Sequence, residues 1–121
     1  MNSILTIAPA VAAALAERRA VVALESTLIT HGLPYPANVE TALAMEDAIR
    51  DVGATPATIA ILNGKIIVGL TADEIEALAQ ATNVRKCSRR DLALAVGLGE
   101  YGATTVAGTM IVAHMAGIRV F

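Results

Sequence analysis

Apolar residues along the chain fall into short runs separated by turn residues, and their spacing predicts alternating helices and strands. Residues 7–19 have the spacing of an amphipathic helix. Residues 21–24 form an unbroken apolar run of the kind that a sheet buries on both faces. Asn38 is a favourable N-cap for a second helix over residues 38–52, which Gly53 would end.

The strongest local signal is a β-hairpin in the middle of the chain. Apolar runs with β-branched residues at positions 58–62 and 65–69 flank Asn63 and Gly64. Asn-Gly fits the two central positions of the tight turn that joins antiparallel strands, because both residues tolerate a positive φ. We therefore expect two antiparallel strands joined by a two-residue turn at this point.

The rest of the chain continues the alternation. Thr71 and Glu74 have the spacing of a capping box, which predicts that a helix follows to about residue 80. The other predicted elements are a loop at 31–36, a strand at 84–87, a helix capped by Ser88 and ending near residue 96, a glycine loop at 97–102, a helix from Thr104 or Thr105 to residue 116 and the start of a strand at 118–121. This order predicts an α/β fold, a layered sheet with flanking helices and a β-hairpin, in one domain over residues 1–121 without an internal linker.

Composition and charge narrow the class of protein. Of the 121 residues, 55% are hydrophobic and 17% are charged, and the mean hydropathy is +0.62, which excludes a disordered chain. A formal net charge of −2 and an aromatic content of 2% argue against binding to nucleic acid or to an anionic bilayer. Cys87 is the single cysteine and cannot form a disulfide framework, so we expect a reducing compartment. Residues 101–118 carry no formal charge but include His114, glycines and threonines, which favours a buried helix over a membrane span.

Glu25 is the most informative single residue, because it directly follows the predicted buried strand. In α/β folds, ligands bind outside the carboxyl ends of the strands. A carboxylate at the mouth of an apolar layer is partly desolvated, which suits general acid catalysis. A carboxylate that only accepts hydrogen bonds from nearby backbone N–H groups is the alternative, and position alone leaves both open.

Lys86 is the second candidate. If residues 84–87 form a strand, alternation places Lys86 and Val84 on one face and Arg85 on the other. The predicted helix after Ser88 would then present its N-terminus nearby, and a lysine beside a helix N-terminus suits an anion such as phosphate. A solvated basic patch on the surface explains the same residues.

Several other residues are weaker candidates for a catalytic or binding role. Residues 102–109 are small and rich in hydroxyls, as in a loop that approaches a phosphate, although close packing of a helix on a sheet explains them equally well. His31 lies in a Gly/Pro loop and is a site candidate, whereas His114 on an apolar helix is expected to be a core residue. Cys87 follows two basic residues, a setting that can lower the pKa of a thiol, but nothing in the sequence places His31 beside it as a base, so a cysteine nucleophile is disfavoured.

Four stretches of the chain together resemble one enzyme family, the pseudouridine-5′-phosphate glycosidases, over residues 5–121 and in matching order. Four separate motifs make this resemblance far more specific than a single glycine pattern. The stretches are ALESTLITHGLPYPANVE at 23–40, PATIAILNGK at 56–65 followed by VGL at 68–70, KCSRRD at 86–91 and GATTVAGTM at 102–110.

The resemblance implies an α/β, cytoplasmic and typically homotrimeric enzyme of nucleoside catabolism. Such enzymes reversibly cleave the C–C glycosidic bond of pseudouridine 5′-phosphate to uracil and ribose 5-phosphate, with manganese as the usual metal. A lysine holds the ring-opened sugar as an imine at C1′, and a glutamate transfers the proton. An electron sink at C1′ is needed because a C–C bond to uracil has no lone pair to protonate, unlike the bond cleaved by ordinary glycosidases.

By motif, the resemblance implies that Glu25 is the proton donor and that Lys86 and Val106 contact the substrate. His31, Thr104 and Thr105 lie in matched motifs without an assigned role. The family's metal-binding aspartate and nucleophilic lysine correspond to positions beyond residue 121, so no metal ligand is assigned here and the Mn²⁺ ligand is expected outside this chain. Because the chain also stops within an apolar run at residues 118–121, we expect an N-terminal portion of the enzyme that is inactive alone.

Two alternatives stay open at this stage. The chain could be a non-catalytic module that binds a sugar phosphate or assembles with another chain while keeping the first half of the fold. An ordinary two-carboxylate glycosidase is disfavoured, because no second acid accompanies Glu25 in a comparable setting. Asp91 and Glu100 are the nearest acids, and they are interpreted as a helix-start charge and a solvated side chain.

Overall fold

The computed structural model describes residues 4–121. Strands and helices alternate as the sequence predicts, but with two additional short strands, a short π-helical turn after the second strand, and only an isolated bridge at Val120 in place of the strand predicted at 118–121. The elements are β1 Leu5–Ile7, α1 Pro9–Ala16, β2 Val21–Leu24, the π-helical turn Leu28–Gly32, α2 Ala37–Asp51, β3 Thr55–Leu62, β4 Lys65–Val68, α3 Ala72–Gln80, β5 Arg85–Cys87, α4 Asp91–Gly97, β6 Gly102–Thr104 and α5 Val106–Ala116.

β3 is the central strand of a six-stranded mixed sheet. On one edge it pairs antiparallel with β4, and β1 lies parallel to β4 beyond it. The other edge is shared by two strands: β2 runs parallel to β3 as far as Thr58, and β6 runs antiparallel at Ala60 and Ile61. β5 lies parallel to β6. β2 and β6 therefore approach each other along this edge with their carboxyl ends facing.

Each face of the sheet is covered by its own layer. One hydrophobic cluster joins α1, α4 and α5 to one face and is centred on Ile59 and Ile61, both fully buried. The second cluster joins α2, α3 and the π-helical turn to the opposite face around Ala60 and Ile75. The predicted class, an α/β fold with flanking helices and a hairpin, is confirmed.

The local signals with a strong stereochemical basis are confirmed. Asn63 and Gly64 have φ of 50° and 77°, as the tight turn between β3 and β4 requires. The Thr71 hydroxyl accepts from the Glu74 N–H at 3.1 Å, and the Glu74 carboxylate accepts from the Thr71 N–H at 2.8 Å. Gly117 ends α5 with a φ of 86°.

Two short strands were not predicted. The helix predicted over residues 7–19 is shorter, because Leu5–Ile7 pairs with β4 and the helix begins only at Pro9. The glycine loop predicted at 97–102 ends earlier than expected, because Gly102–Thr104 forms β6. Each strand has only three residues, which are too few to show the alternation of apolar and polar positions that marks a strand. Both strands form because they pair with segments distant in the sequence.

Two of the predicted side-chain caps, Asn38 and Ser88, are wrong. α2 begins at Ala37, and Asn38 is buried instead, where its amide donates to the Ile29 and Ala79 carbonyl oxygens at 2.8 and 3.2 Å. The Ser88 hydroxyl lies 3.0 Å from the Thr105 hydroxyl, while the Ser88 N–H donates to the Asp91 carboxylate. Both polar side chains join separate segments rather than cap the helix that follows them.

The apolar content does not produce a membrane-spanning element among the described residues. Within residues 4–121, no helix is both long and apolar enough to cross a bilayer.

Candidate functional site

The carboxyl ends of β2, β5 and β6 meet on one side of the molecule. The Ser26 N–H donates to the Thr104 carbonyl oxygen at 3.1 Å, which joins the end of β2 to the end of β6. The Thr105 N–H donates to the Cys87 carbonyl oxygen at 3.0 Å, which joins the end of β6 to that of β5. The motifs that carry Glu25, Lys86 and Val106 therefore come together here.

Glu25 lies just after β2 and is partly buried. One of its carboxylate oxygens, Oε2, accepts from the Thr27 N–H at 3.0 Å and also from the Thr27 hydroxyl. Glu25 therefore accepts local hydrogen bonds, as a purely structural carboxylate would, but only through one of its two carboxylate oxygens. Glu25 also lines a small, largely apolar cavity together with Leu24, Leu28, Ile29, Ala42, Met45 and Thr58.

Behind Glu25 lie three hydroxyls that we call the buried hydroxyl chain: Ser26, Thr104 and Thr109, each 0% exposed. The Thr109 hydroxyl donates to the Thr104 hydroxyl at 2.9 Å, and the Thr104 hydroxyl donates to the Ile59 carbonyl oxygen at 2.8 Å. The Thr104 N–H donates to the Ser26 hydroxyl oxygen at 2.8 Å, and the Ser26 and Thr104 hydroxyls lie 3.3 Å apart. The chain thereby links β2, β3, β6 and α5.

Lys86 is exposed in the middle of β5. It pairs with Ala103, which pairs with Ala60, so alternation places the Lys86 side chain on the face covered by α2, α3 and the π-helical turn. The cavity beside Glu25 opens on this same face, since Ile29 and Ala42 line it. The expected helix N-terminus beside Lys86 is wrong, because α4 packs on the opposite face.

Val106 is the first residue of α5 and is 58% exposed. The preceding Thr105 caps the helix: its hydroxyl oxygen accepts from the Gly108 N–H at 3.2 Å, and its hydroxyl donates to the Cys87 carbonyl oxygen at 3.2 Å. A Cβ built at Gly108 would overlap the same Cys87 carbonyl oxygen. The small residues at 102–109 therefore serve the close packing of α5 on the sheet.

The two histidines occupy different places. His31 is exposed in the π-helical turn, and its Nδ1 lies 2.5 Å from the Thr30 hydroxyl. The prediction that His114 is a core residue is wrong. His114 is exposed on α5, beside Arg89, Met110 and Met115, because the outward face of this helix is itself apolar.

Cys87 does not have the lowered thiol pKa that its basic neighbours would favour. Cys87 is buried, and desolvation, followed by the negative charge of Asp91, raises the pKa of its thiol to about 11. A thiol of that kind is protonated at neutral pH and is not a nucleophile.

Glu100 and Asp91, the two acids nearest to candidates for a second carboxylate beside Glu25, each bond to a neighbouring residue. Glu100 forms a two-pronged ion pair with Arg85, at 2.5 and 3.1 Å, whose hydrogen bonds lower the pKa of the Glu100 carboxyl. The Asp91 carboxylate accepts from the Ser88 N–H at 3.0 Å, so it stabilises the start of α4.

Sequence reasoning missed one buried acid, Glu46 on α2, which is 4% exposed. Its Oε2 accepts from the Thr58 hydroxyl at 2.5 Å and its Oε1 from Arg50 at 3.2 Å. Thr58 lines the same cavity as Glu25, so a second carboxylate does lie close behind the candidate site. Its spacing of four and seven residues from the buried Ala42 and Val39 places it on the inner face of the helix, a signal available in the sequence.

No metal centre is assigned to this chain. Among residues 4–121 there is no group of three or more His, Cys, Asp or Glu side chains arranged to hold a metal ion. The residues described do not fit manganese by themselves.

The chain is similar to solved structures of two proteins. The prealnumycin C-glycosynthase AlnA, in complex with ribulose 5-phosphate, is 49% identical with a TM-score of 0.88, covering 100% of this chain and 39% of its own. An indigoidine synthase A-like protein from Thermotoga maritima is 34% identical with a TM-score of 0.78, covering 84% of this chain and 34% of its own.

Comparison with known sequences gives the same result. Relatives named pseudouridine-5′-phosphate glycosidase, from Deinococcus radiodurans and Geobacillus kaustophilus, are each 59% identical over 121 residues. This chain spans 39% and 40% of their respective lengths. A family model described as indigoidine synthase A like protein matches residues 10–121. With nearly all of its residues matched by that model, the chain belongs to the indigoidine synthase A-like family, and it is similar along its whole length to relatives named pseudouridine-5′-phosphate glycosidase.

Proposed function

We propose that this chain supplies the proton donor and part of the substrate site of a pseudouridine-5′-phosphate glycosidase. The observation that supports this most directly is the position of Glu25, at a strand end shared by the motifs of Lys86 and Val106. The glycosidase name of relatives that are 59% identical supports the substrate.

In the proposed reaction the C–C bond between C1′ of the sugar and C5 of uracil breaks. A lysine amine first displaces the ring oxygen from C1′, which opens the ring and passes the amine proton to that oxygen. When the C1′–C5 bond then breaks, its electron pair goes to C5, which takes a proton from Glu25, and the lone pair of the lysine nitrogen forms the imine at C1′. C1′ is held as an imine by a lysine, and water releases it as ribose 5-phosphate. Neither Lys65 nor Lys86 lies in the motif of that lysine, so the nucleophile is assigned to a position outside residues 1–121.

Lys86 and Val106 hold the sugar phosphate in this proposal. Lys86 is an exposed cation on the face of the sheet where the Glu25 cavity opens, and Val106 stands at the start of α5. The complex of the C-glycosynthase AlnA with ribulose 5-phosphate supports a sugar phosphate as the ligand class. Manganese, the cytoplasm and a homotrimer are further parts of the proposal, and the exposed Met110, Val120 and Phe121 are consistent with a further interface.

A chimera tests the proposal. Residues 1–121 replace the corresponding segment of the Deinococcus radiodurans relative, and the product is assayed with uracil, ribose 5-phosphate and Mn²⁺. General acid catalysis typically contributes about 10²–10⁴-fold, so Glu25→Gln should lower kcat by that factor. The control is Glu17→Gln, an exposed carboxylate just after α1. An unsubstituted chimera without product, or equal kcat in the two variants, would overturn the proposal.

A second candidate, a non-catalytic sugar-phosphate-binding module, is favoured by the two hydrogen bonds that Thr27 makes to Glu25. Calorimetric titration of the 121-residue chain with ribose 5-phosphate tests it. Binding that weakens at least tenfold in Lys86→Met, together with an inactive chimera, would support the module over the enzyme.

A further inference from the structure

β3 has an interruption in its pairing on the edge beside Glu25. β2 pairs with it up to Thr58, and β6 begins to pair at Ala60. Ile59 lies between the two pairings, fully buried, and its carbonyl oxygen faces this edge. Two strands that meet end to end cannot continue one ladder, so the backbone groups at the junction need other partners.

The buried hydroxyl chain supplies these partners. The Thr104 hydroxyl donates to the Ile59 carbonyl oxygen at 2.8 Å, and the Ser26 hydroxyl oxygen accepts from the Thr104 N–H at 2.8 Å. The Thr109 hydroxyl completes the chain from α5. Apolar side chains of the same shape would leave a buried N–H and a buried C=O without partners, which is a strong reason for hydroxyls in an otherwise apolar layer.

We propose that Ser26 and Thr104 are positioning residues that hold Glu25 in register with the start of α5. Ser26 directly follows Glu25, and Thr104 precedes Val106 by two residues, so the bonds between them tie together segments 78 residues apart in sequence. This inference rests on the proposed function, because it assigns a consequence for proton donation. A shift of about 1 Å in a catalytic group can cost about 10²-fold in rate.

A positioning role and a merely structural one predict different kinetics. Displacement of a proton donor lowers kcat while KM stays nearly constant, because the donor acts in the transition state. A general loss of stability lowers the amount of folded protein but leaves the kcat of the folded fraction unchanged. Thr71→Ala provides the matched control, since it removes an exposed helix-capping hydroxyl at the start of α3, outside the hydroxyl chain.

The test uses the chimera described above at a temperature where every variant is folded. Thr104→Val should lower kcat by about 10–100-fold with KM within about twofold, and Thr104→Ser, which keeps the hydroxyl, should restore most of it. Thr71→Ala should match the unsubstituted protein. Equal kcat in Thr104→Val and Thr71→Ala, or a rise in KM with kcat unchanged, would overturn the inference. Ser26→Ala, which removes the acceptor of the Thr104 N–H, tests the same positioning role if Thr104→Val does not fold.

Hydrogen exchange in the 121-residue chain separates this inference from the proposed function. Thr104→Val should speed exchange of the Ser26 and Thr27 amides at least tenfold relative to Thr71→Ala, and Thr104→Ser should not. An inactive unsubstituted chimera would overturn the proposed function alone. Unchanged exchange at Ser26 and Thr27 would overturn the positioning role whatever the activity.

Discussion

Gly108 in α5 is the position where the structure makes the sharpest prediction about stability. An alanine Cβ there would overlap the Cys87 carbonyl oxygen and would lie 3.5 Å from the Thr104 Cβ. The main obstacle is backbone, which cannot move away by changing rotamer. α5 or the end of β5 would have to shift, although the Thr105 hydroxyl and N–H hold these two segments together at 3.2 and 3.0 Å.

The magnitude follows from two opposing effects. Alanine is favoured over glycine inside a helix by about 1 kcal/mol, so without the contact Gly108→Ala would stabilise the protein. Overpacking of a tight site costs about 1–3 kcal/mol, and a fixed backbone obstacle places this case at the upper end. The expected net loss is therefore about 2 kcal/mol in the free energy of unfolding, from the difference between these effects.

Gly97, at the end of α4, provides a control with the same substitution and the opposite expected sign. Within residues 4–121, a Cβ built at Gly97 meets no heavy atom of another segment within 4 Å, and its φ is not positive. Gly97→Ala should therefore stabilise the protein by about 0.4–1 kcal/mol.

Urea denaturation followed by circular dichroism compares these two variants with the unsubstituted chain. A shift of the midpoint with unchanged m reports the change in stability. A Gly108→Ala protein as stable as the original would refute the packing explanation of the glycine. Equal losses in both variants would show that loss of glycine itself, rather than the contact with Cys87, determines the result.

Three further predictions concern polar and titratable groups. Thr58→Val leaves the buried Glu46 carboxylate without its 2.5 Å donor and should destabilise the chain by about 1–3 kcal/mol, measured by urea midpoint. Hydrogen bonding to Arg85 lowers the pKa of Glu100, so the ion pair stabilises the fold fully above the ordinary carboxyl pKa of 4.5. That stabilisation is lost as the pH falls through the lowered pKa. The difference in free energy of unfolding between the original chain and Glu100→Gln should therefore shrink in acid. Cys87, with a thiol pKa of about 11, should resist iodoacetamide at pH 8 in the folded chain and react in urea; rapid reaction of the folded chain would contradict its burial.

The elements that sequence could predict are those set by local stereochemistry. Asn63 and Gly64 determine a turn through their own φ, and Thr71 and Glu74 satisfy each other within one helical turn. These signals depend on a few consecutive residues, so distant contacts do not override them. β2 was predicted with its observed bounds because its four residues are an unbroken apolar run buried beside β3.

The elements that sequence missed are set by distant contacts. β6 is three residues long and exists because Ala103 and Gly102 pair with Ala60 and Ile61. Asn38 is of a residue type that favours helix N-caps, but its side-chain amide donates to the carbonyl oxygens of two other segments. A polar residue near a helix start favours a cap only when no buried carbonyl competes for its side chain.

The residues 102–109 show how a functional-looking motif divides between packing and chemistry. Gly108 allows the Cys87 backbone to approach, Thr104 and Thr109 complete the buried hydroxyl chain, and Thr105 caps α5. These roles account for most of the glycines and hydroxyls that gave the stretch its phosphate-like appearance. Val106 is left exposed at the head of the helix, beside the strand ends where Glu25 and Lys86 also lie. Most of the motif therefore fixes the position of α5 on the sheet, and the proposed contact with substrate is made by the exposed Val106 at the start of that helix.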